Sequence, residues 1–174
     1  MILLVIDMQK GIVDDELYAF DTLMDRCVRL VDAARKKRVE VIFVQHDAGP
    51  DSGLSVGDEG FEIISELRPE PGEKVFIKKI NSCFGNPDFR NYMEQQEEKR
   101  VMIIGLQTNY CIDATVKSAF ERGFEVIIPE GTNSTFDNNY MTAETTVRYY
   151  HEDVWEELVD VVTLEEAMGM LGEA

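Results

Sequence analysis

Six short apolar runs rich in β-branched residues divide the chain, at residues 2–6, 39–44, 75–77, 101–104, 125–128 and 159–163. Most are continuously apolar rather than alternating, the pattern of strands covered on both faces. Between them the spacing turns helical. Leu23, Cys27, Leu30, Val31 and Ala34 mark one face of a helix over residues 21–37, and Phe61, Ile64 and Leu67 mark a short one. Further helices are predicted over 87–98, over 112–122 with Gly123 as its stop, and over 142–150 and 164–171. Repeated strand–helix alternation predicts an α/β fold of three layers, α/β/α, around a doubly wound, six-stranded, mostly parallel sheet. Residues 1–174 are expected to form one domain, with the Gly-, Asp- and Ser-rich stretch 47–60 as a long surface loop.

Composition adds limits. At 174 residues and 44% hydrophobic content the chain can enclose a core without disulfide or metal staples. Its 34 acidic and 17 basic residues give a net charge of −17. Such a charge repels phosphate backbones and anionic lipid, so neither nucleic acid nor a membrane surface is an expected partner. The apolar start breaks at Asp7 and has no basic leader, so no secretory signal is read there. No apolar stretch approaches the roughly 20 residues that cross a bilayer. Cys27, Cys83 and Cys111 are odd in number and widely spaced, which suits free thiols in a cytoplasmic protein.

Candidate chemistry follows from position. In open α/β sheets ligands bind outside the carboxyl ends of the strands. Asp7 directly follows the first apolar run, Lys78 ends the third, and Cys111 lies just past the fourth and before a helix. A thiolate is the attacking form of cysteine, and a helix start or a neighbouring ammonium such as Lys78 would stabilise it. Asp7 could take the thiol proton and deliver it to a leaving amine. Backbone N–H groups in the turn before Cys111 could hold an oxyanion. Each residue also has an ordinary alternative: a buried core thiol, a helix-capping aspartate, a solvated lysine. Cys83 and Cys27 read as packing residues and the acidic segment 94–98 as a solvated helix face, while Trp155 is open to a subunit contact. Gln9, Phe84 and Tyr110 flank these positions and are candidates for a substrate pocket.

The segments Leu3-Leu4-Val5-Ile6-Asp7-Met8-Gln9, Lys78-Lys79-Ile80-Asn81-Ser82-Cys83-Phe84 and Gly105-Leu106-Gln107-Thr108-Asn109-Tyr110-Cys111 occur in that order. Together they resemble the isochorismatase-like cysteine hydrolases. The resemblance implies Asp7 as base, Lys78 rather than Lys79 as its charged partner and Cys111 as nucleophile. It also implies a cis peptide before Gln107 and an oxyanion site made by the N–H groups of Gln107 and Cys111. The segments Phe43-Val44-Gln45-His46, Gly105-Leu106-Gln107-Thr108-Asn109-Tyr110 and Thr135-Phe136-Asp137-Asn138 through Tyr150-His151 are similar to the streptothricin-hydrolase-like branch, although Tyr150 stands where that branch often has a second histidine. Nicotinamidases of this superfamily hold a metal on an Asp and histidines. Here only His46 and Asp47 stand near that position, so no metal or other cofactor is expected and His46 is read as a pocket-wall or hydrogen-bonded residue.

The resulting expectation is hydrolysis of an amide or related C–N bond in a small molecule through a thioester. The alternatives are vinyl-ether hydrolysis, which needs no cysteine, and non-catalytic metabolite binding or thiol sensing. A homodimer or homotetramer is implied by resemblance alone.

Overall fold

Parallel pairing runs through the whole sheet of the computed structural model, which describes residues 1–172. Residues 173 and 174 of the expected domain lie outside the described residues. The strands are β1 (Ile2–Ile6), β2 (Glu40–His46), β3 (Lys74–Lys78), β4 (Arg100–Leu106), β5 (Glu125–Pro129), β6 (Asn133–Ser134) and β7 (Val159–Val162). The helices are α1 (Phe20–Lys36), α2 (Pro87–Glu94), α3 (Asp113–Phe120), α4 (Ala143–Tyr149) and α5 (Leu164–Met170). Six strands run in the order β3-β2-β1-β4-β5-β7. The chain winds outward in both directions from β1 and β4, the doubly wound topology expected from the alternation.

Alternating positions of the central strands feed two cores. Leu3 and Val5 of β1, Phe43 of β2 and Ile104 of β4 pack with Leu23, Leu30 and Ala34 of α1 and Ala167 of α5. Leu4 and Ile6, Val44 and Ile103 pack on the other face with Phe89 and Met93 of α2 and Val116 and Ala119 of α3. Strands buried on both faces must be apolar at every position, which is why these runs do not alternate. At about 25 cal/mol per Å² of apolar surface, each fully buried leucine or isoleucine contributes on the order of 2 kcal/mol.

Several elements differ from the sequence expectation. Phe61 and Leu67 lie on two separate 3₁₀ turns, Glu59–Phe61 and Ser65–Leu67, with Ile64 just before the second, rather than on one short helix. These turns are latched to the sheet, with the Ile64 N–H donating to the Met8 carbonyl at 3.0 Å. The helix expected over 87–98 ends at Glu94. It starts cleanly because Asn86 accepts from the N–H groups of Asp88 and Phe89 and Pro87 fits the first turn. The two-residue β6 had no hydrophobic pattern to reveal it. It covers the carboxyl half of β4, beyond the Arg100–Met102 stretch that pairs with β5. Among the described residues no helix is long and apolar enough to cross a membrane.

One close approach governs the sheet centre. Gly105 pairs with Ile6 across β1 and β4 and has a φ of 123°. A Cβ there would lie 2.0 Å from the Ile6 carbonyl oxygen, so the two backbones meet only because this residue has no side chain. Gly105→Ala is expected to destabilise the fold by about 3 kcal/mol or more, because it adds both a clash and a disfavoured φ. Urea unfolding of the variant checks this, and an unchanged midpoint would refute it.

Candidate active site

Three strand ends build the site. β1 stops at Ile6, and Asp7 turns the chain with a φ of 55°, a left-handed conformation that aspartate tolerates better than most residues. Asp7 is buried at 1% exposure beside the topological switch between β1 and β4. Lys78 ends β3 and is buried at 2% exposure, while its neighbour Lys79 is exposed. Beyond β4, Thr108–Ile112 form a π-helical turn that carries Cys111 into the same space. Wide turns of this kind recur at functional sites.

Lys78 joins the group. Its Nζ donates to Asp7 Oδ2 at 2.8 Å, to Cys111 Sγ at 3.2 Å and, at 3.1 Å, reaches His46 Nδ1. An ammonium has three N–H donors and no acceptor, so all three are spent and His46 Nδ1 must accept. His46 is then neutral, with its hydrogen on Nε2. Burial and the Lys78 charge both hold its pKa below the usual imidazole value. Cys111 Sγ also lies 3.9 Å from Asn81 Oδ1. The other Asp7 oxygen, Oδ1, is buried with no hydrogen-bond partner among the described residues. A carboxylate oxygen left unpaired in such a place is an acceptor awaiting a proton.

The electrostatics correct one expectation. Lys78 and a helix start were expected to lower the Cys111 pKa. Burial and the adjacent Asp7 charge instead push the thiol up to about 12, against the pull of Lys78. Cys111 also precedes α3 by the last residues of the π turn rather than opening the helix itself. Burial raises the Asp7 carboxyl too, opposed by Lys78. On Lys78, desolvation disfavours the charge, but Asp7, Cys83 and Cys111 outweigh it and the pKa is raised. Two acids thus face one ammonium, and both cannot ionise together at this distance.

The other candidates fall into place around this core. Gln9 is fully buried, and its amide donates to the carbonyls of His46 and Phe61 while accepting from the His46 N–H at 2.6 Å. It clamps β1, β2 and the latch turn together. Phe84 is buried in the apolar cluster that includes Cys111, edge-on to Phe89. Tyr110, next to Cys111, is 53% exposed. Cys27 and Cys83 are buried in the two cores. Trp155, open to a subunit contact from sequence, is fully buried and donates to Asp113 Oδ1 at 2.9 Å. The peptide bond between Leu106 and Gln107 is cis, as the resemblance implied.

The donor set does not suit a divalent metal. Asp7, His46 and Cys111 offer atoms within 4.8 Å of one another, but all three already converge on the Lys78 ammonium. Asp47 is turned away from them, accepting from the Gly49 N–H at 3.0 Å and the Ser55 hydroxyl at 2.8 Å to shape its loop. Sequence reasoning gave no role to Asn81, Asn133 or His151, which no periodicity singles out.

A model of the isochorismatase domain matches residues 1–164, and the chain belongs to that family. It is 28% identical over 150 residues to nicotinamidase 3 of Arabidopsis thaliana, covering 78% of this chain and 73% of that one. It is 26% identical over 138 residues to a streptothricin hydrolase of Streptomyces noursei, covering 78% of this chain and 54% of the relative. Relatives with different names match at such similar identity that the family is assigned and the branch is not. An isochorismatase-family crystal structure from Chromobacterium violaceum superposes with a TM-score of 0.91 at 25% identity, covering 99% of this chain and 94% of that one. The fold and the Asp7–Lys78–Cys111 geometry are those of a hydrolase of this family.

Asp7→Asn removes the charge that raises the thiol and leaves Lys78, so Cys111 is expected to deprotonate at lower pH. Ultraviolet thiolate absorbance against a Cys111→Ser blank measures this. An unchanged or higher titration midpoint would refute the electrostatic account.

Proposed function

We propose that this protein hydrolyses an amide or related C–N bond of a small molecule through a thioester on Cys111. The observation that carries the reading is the unpaired, buried Oδ1 of Asp7, on a carboxylate whose other oxygen is tied to the same ammonium that holds Cys111 Sγ. The names of the two relatives, a nicotinamidase and a streptothricin hydrolase, support the choice of substrate bond.

In this reading Cys111 Sγ attacks the carbonyl carbon as its proton passes to Asp7. The developing oxyanion is held by the backbone N–H groups of Gln107 and Cys111, a contribution worth about 3 kcal/mol in comparable sites. Asp7 gives its proton to the departing nitrogen, the C–N bond breaks, and an amine leaves behind a thioester. Water then attacks the thioester carbon and yields its proton to Asp7. The acid product departs and the thiol recovers its hydrogen. Lys78 stays charged throughout, fixing both carboxylate and sulfur and balancing the negative charge that moves between them. Neutral His46 holds Lys78 from the third side. Vinyl-ether hydrolysis makes no use of a nucleophile and leaves Cys111 without a role.

Cys111→Ala is expected to lower turnover across a panel of amides and ureides by at least about 10⁴-fold, the scale of losing a covalent nucleophile. Product analysis by liquid chromatography checks this. Full activity in the variant would overturn the thioester reading in favour of direct attack by water.

A further inference from the structure

We propose that His151 is a positioning residue for the Cys111 nucleophile, acting through Asn133 and Thr108. The inference rests on the thioester reading for its consequence, but its test reads the thiol itself. Beyond α4 the chain makes a second π-helical turn, Tyr150–Val154, and His151 sits in it. The imidazole stacks on buried Trp155 with ring centroids 5.5 Å apart and planes 29° from parallel. Its Nε2 lies 3.1 Å from Asn133 Nδ2 and 3.2 Å from Asn133 Oδ1. Asn133 is buried on β6, and its Oδ1 accepts from the Thr108 hydroxyl at 2.7 Å.

Thr108 gives its hydrogen to Oδ1, and both ends of the Asn133 carboxamide lie within hydrogen-bond reach of His151 Nε2. A neutral imidazole serves this contact as an acceptor from Nδ2 or as a donor to Oδ1. Burial pushes the His151 pKa down to about 4, opposed by the Glu152 carboxylate, so this state holds at neutral pH.

The relay ends where the nucleophile begins. Thr108 opens the π turn that carries Cys111, and Asp113 follows that turn. Asp113 is held by Trp155, the residue on which His151 stacks. One short stretch after α4 therefore grips both ends of the nucleophile turn. The N-terminal grip passes through the buried side chains of Asn133 and Thr108. None of these side chains touches the triad, so their effect on Cys111 must come through the backbone of the turn. A displacement of about 1 Å in a reacting group is enough to lower a rate substantially.

His151→Phe keeps a ring against Trp155 and removes the polar group that faces the Asn133 carboxamide. His151→Gln offers an oxygen in its place. The rate of Cys111 alkylation by iodoacetamide at neutral pH, followed by mass spectrometry, is expected to fall about tenfold in His151→Phe and to stay within about threefold in His151→Gln. Thr108→Val breaks the relay from the other end and is expected to slow alkylation as His151→Phe does, which keeps the test open if the phenylalanine variant does not fold. On an accepted amide the loss falls on kcat and leaves KM near its starting value. Unchanged alkylation in folded His151→Phe or Thr108→Val would overturn the proposal. Equal slowing in His151→Phe and His151→Gln would do so as well, since it would assign His151 to packing. A relay effect on the thiol in a protein that turns over no amide would uphold His151 and sink the amidase reading.

Discussion

A single buried ammonium organises this molecule's chemistry. Lys78 stands among Asp7, His46 and Cys111 with each of its hydrogens committed. A charge out of water is expensive unless it is paired and fully hydrogen-bonded, and here both conditions are met by residues from different strands. The arrangement then fixes the protonation of everything around it. His46 must present a lone pair. Asp7 and Cys111 compete for one cation, so the thiol keeps its proton at neutral pH. The resting site is therefore an electrically balanced pair beside a protonated thiol. It differs from a free thiolate activated by a nearby positive charge.

The rest of the fold brings those groups together. Asp7 and the nucleophile turn leave adjacent strands, and their closeness depends on Gly105 meeting the Ile6 carbonyl without a side chain between them. Lys78 comes from the edge strand β3, separated from β4 by two strands, and only its long side chain lets it reach the centre. Gln9 and the 59–61 turn clamp the strand ends between them. The same Gln9 bonds hold the His46 backbone, and so set the position of the imidazole that meets Lys78.

Much of this was legible before the structure. Apolar runs located the six long strands because a strand buried on both faces needs continuous hydrophobicity, and the rule for strand carboxyl ends then picked out Asp7, Lys78 and Cys111. Periodicity could not distinguish one helix from two 3₁₀ turns at Phe61, Ile64 and Leu67, since apolar residues three apart suit either. The two π turns left no mark in the sequence, because their widening is set by what packs around them. Asn133 and His151 escaped for a related reason: a polar relay is defined by distances between segments, and residue type alone does not reveal it. The pKa of Cys111 was misjudged because sequence shows that a lysine is near but does not show that burial and a carboxylate outweigh it.

The central claim is that Cys111 becomes covalently acylated. Acid quenching during turnover of an amide substrate, followed by peptide mapping of the protein by mass spectrometry, tests this most directly. The account predicts an added mass equal to the acyl group, carried by the peptide containing Cys111 and absent from those containing Cys27 and Cys83. Steady turnover with every Cys111 peptide unmodified, or acylation elsewhere, would contradict it.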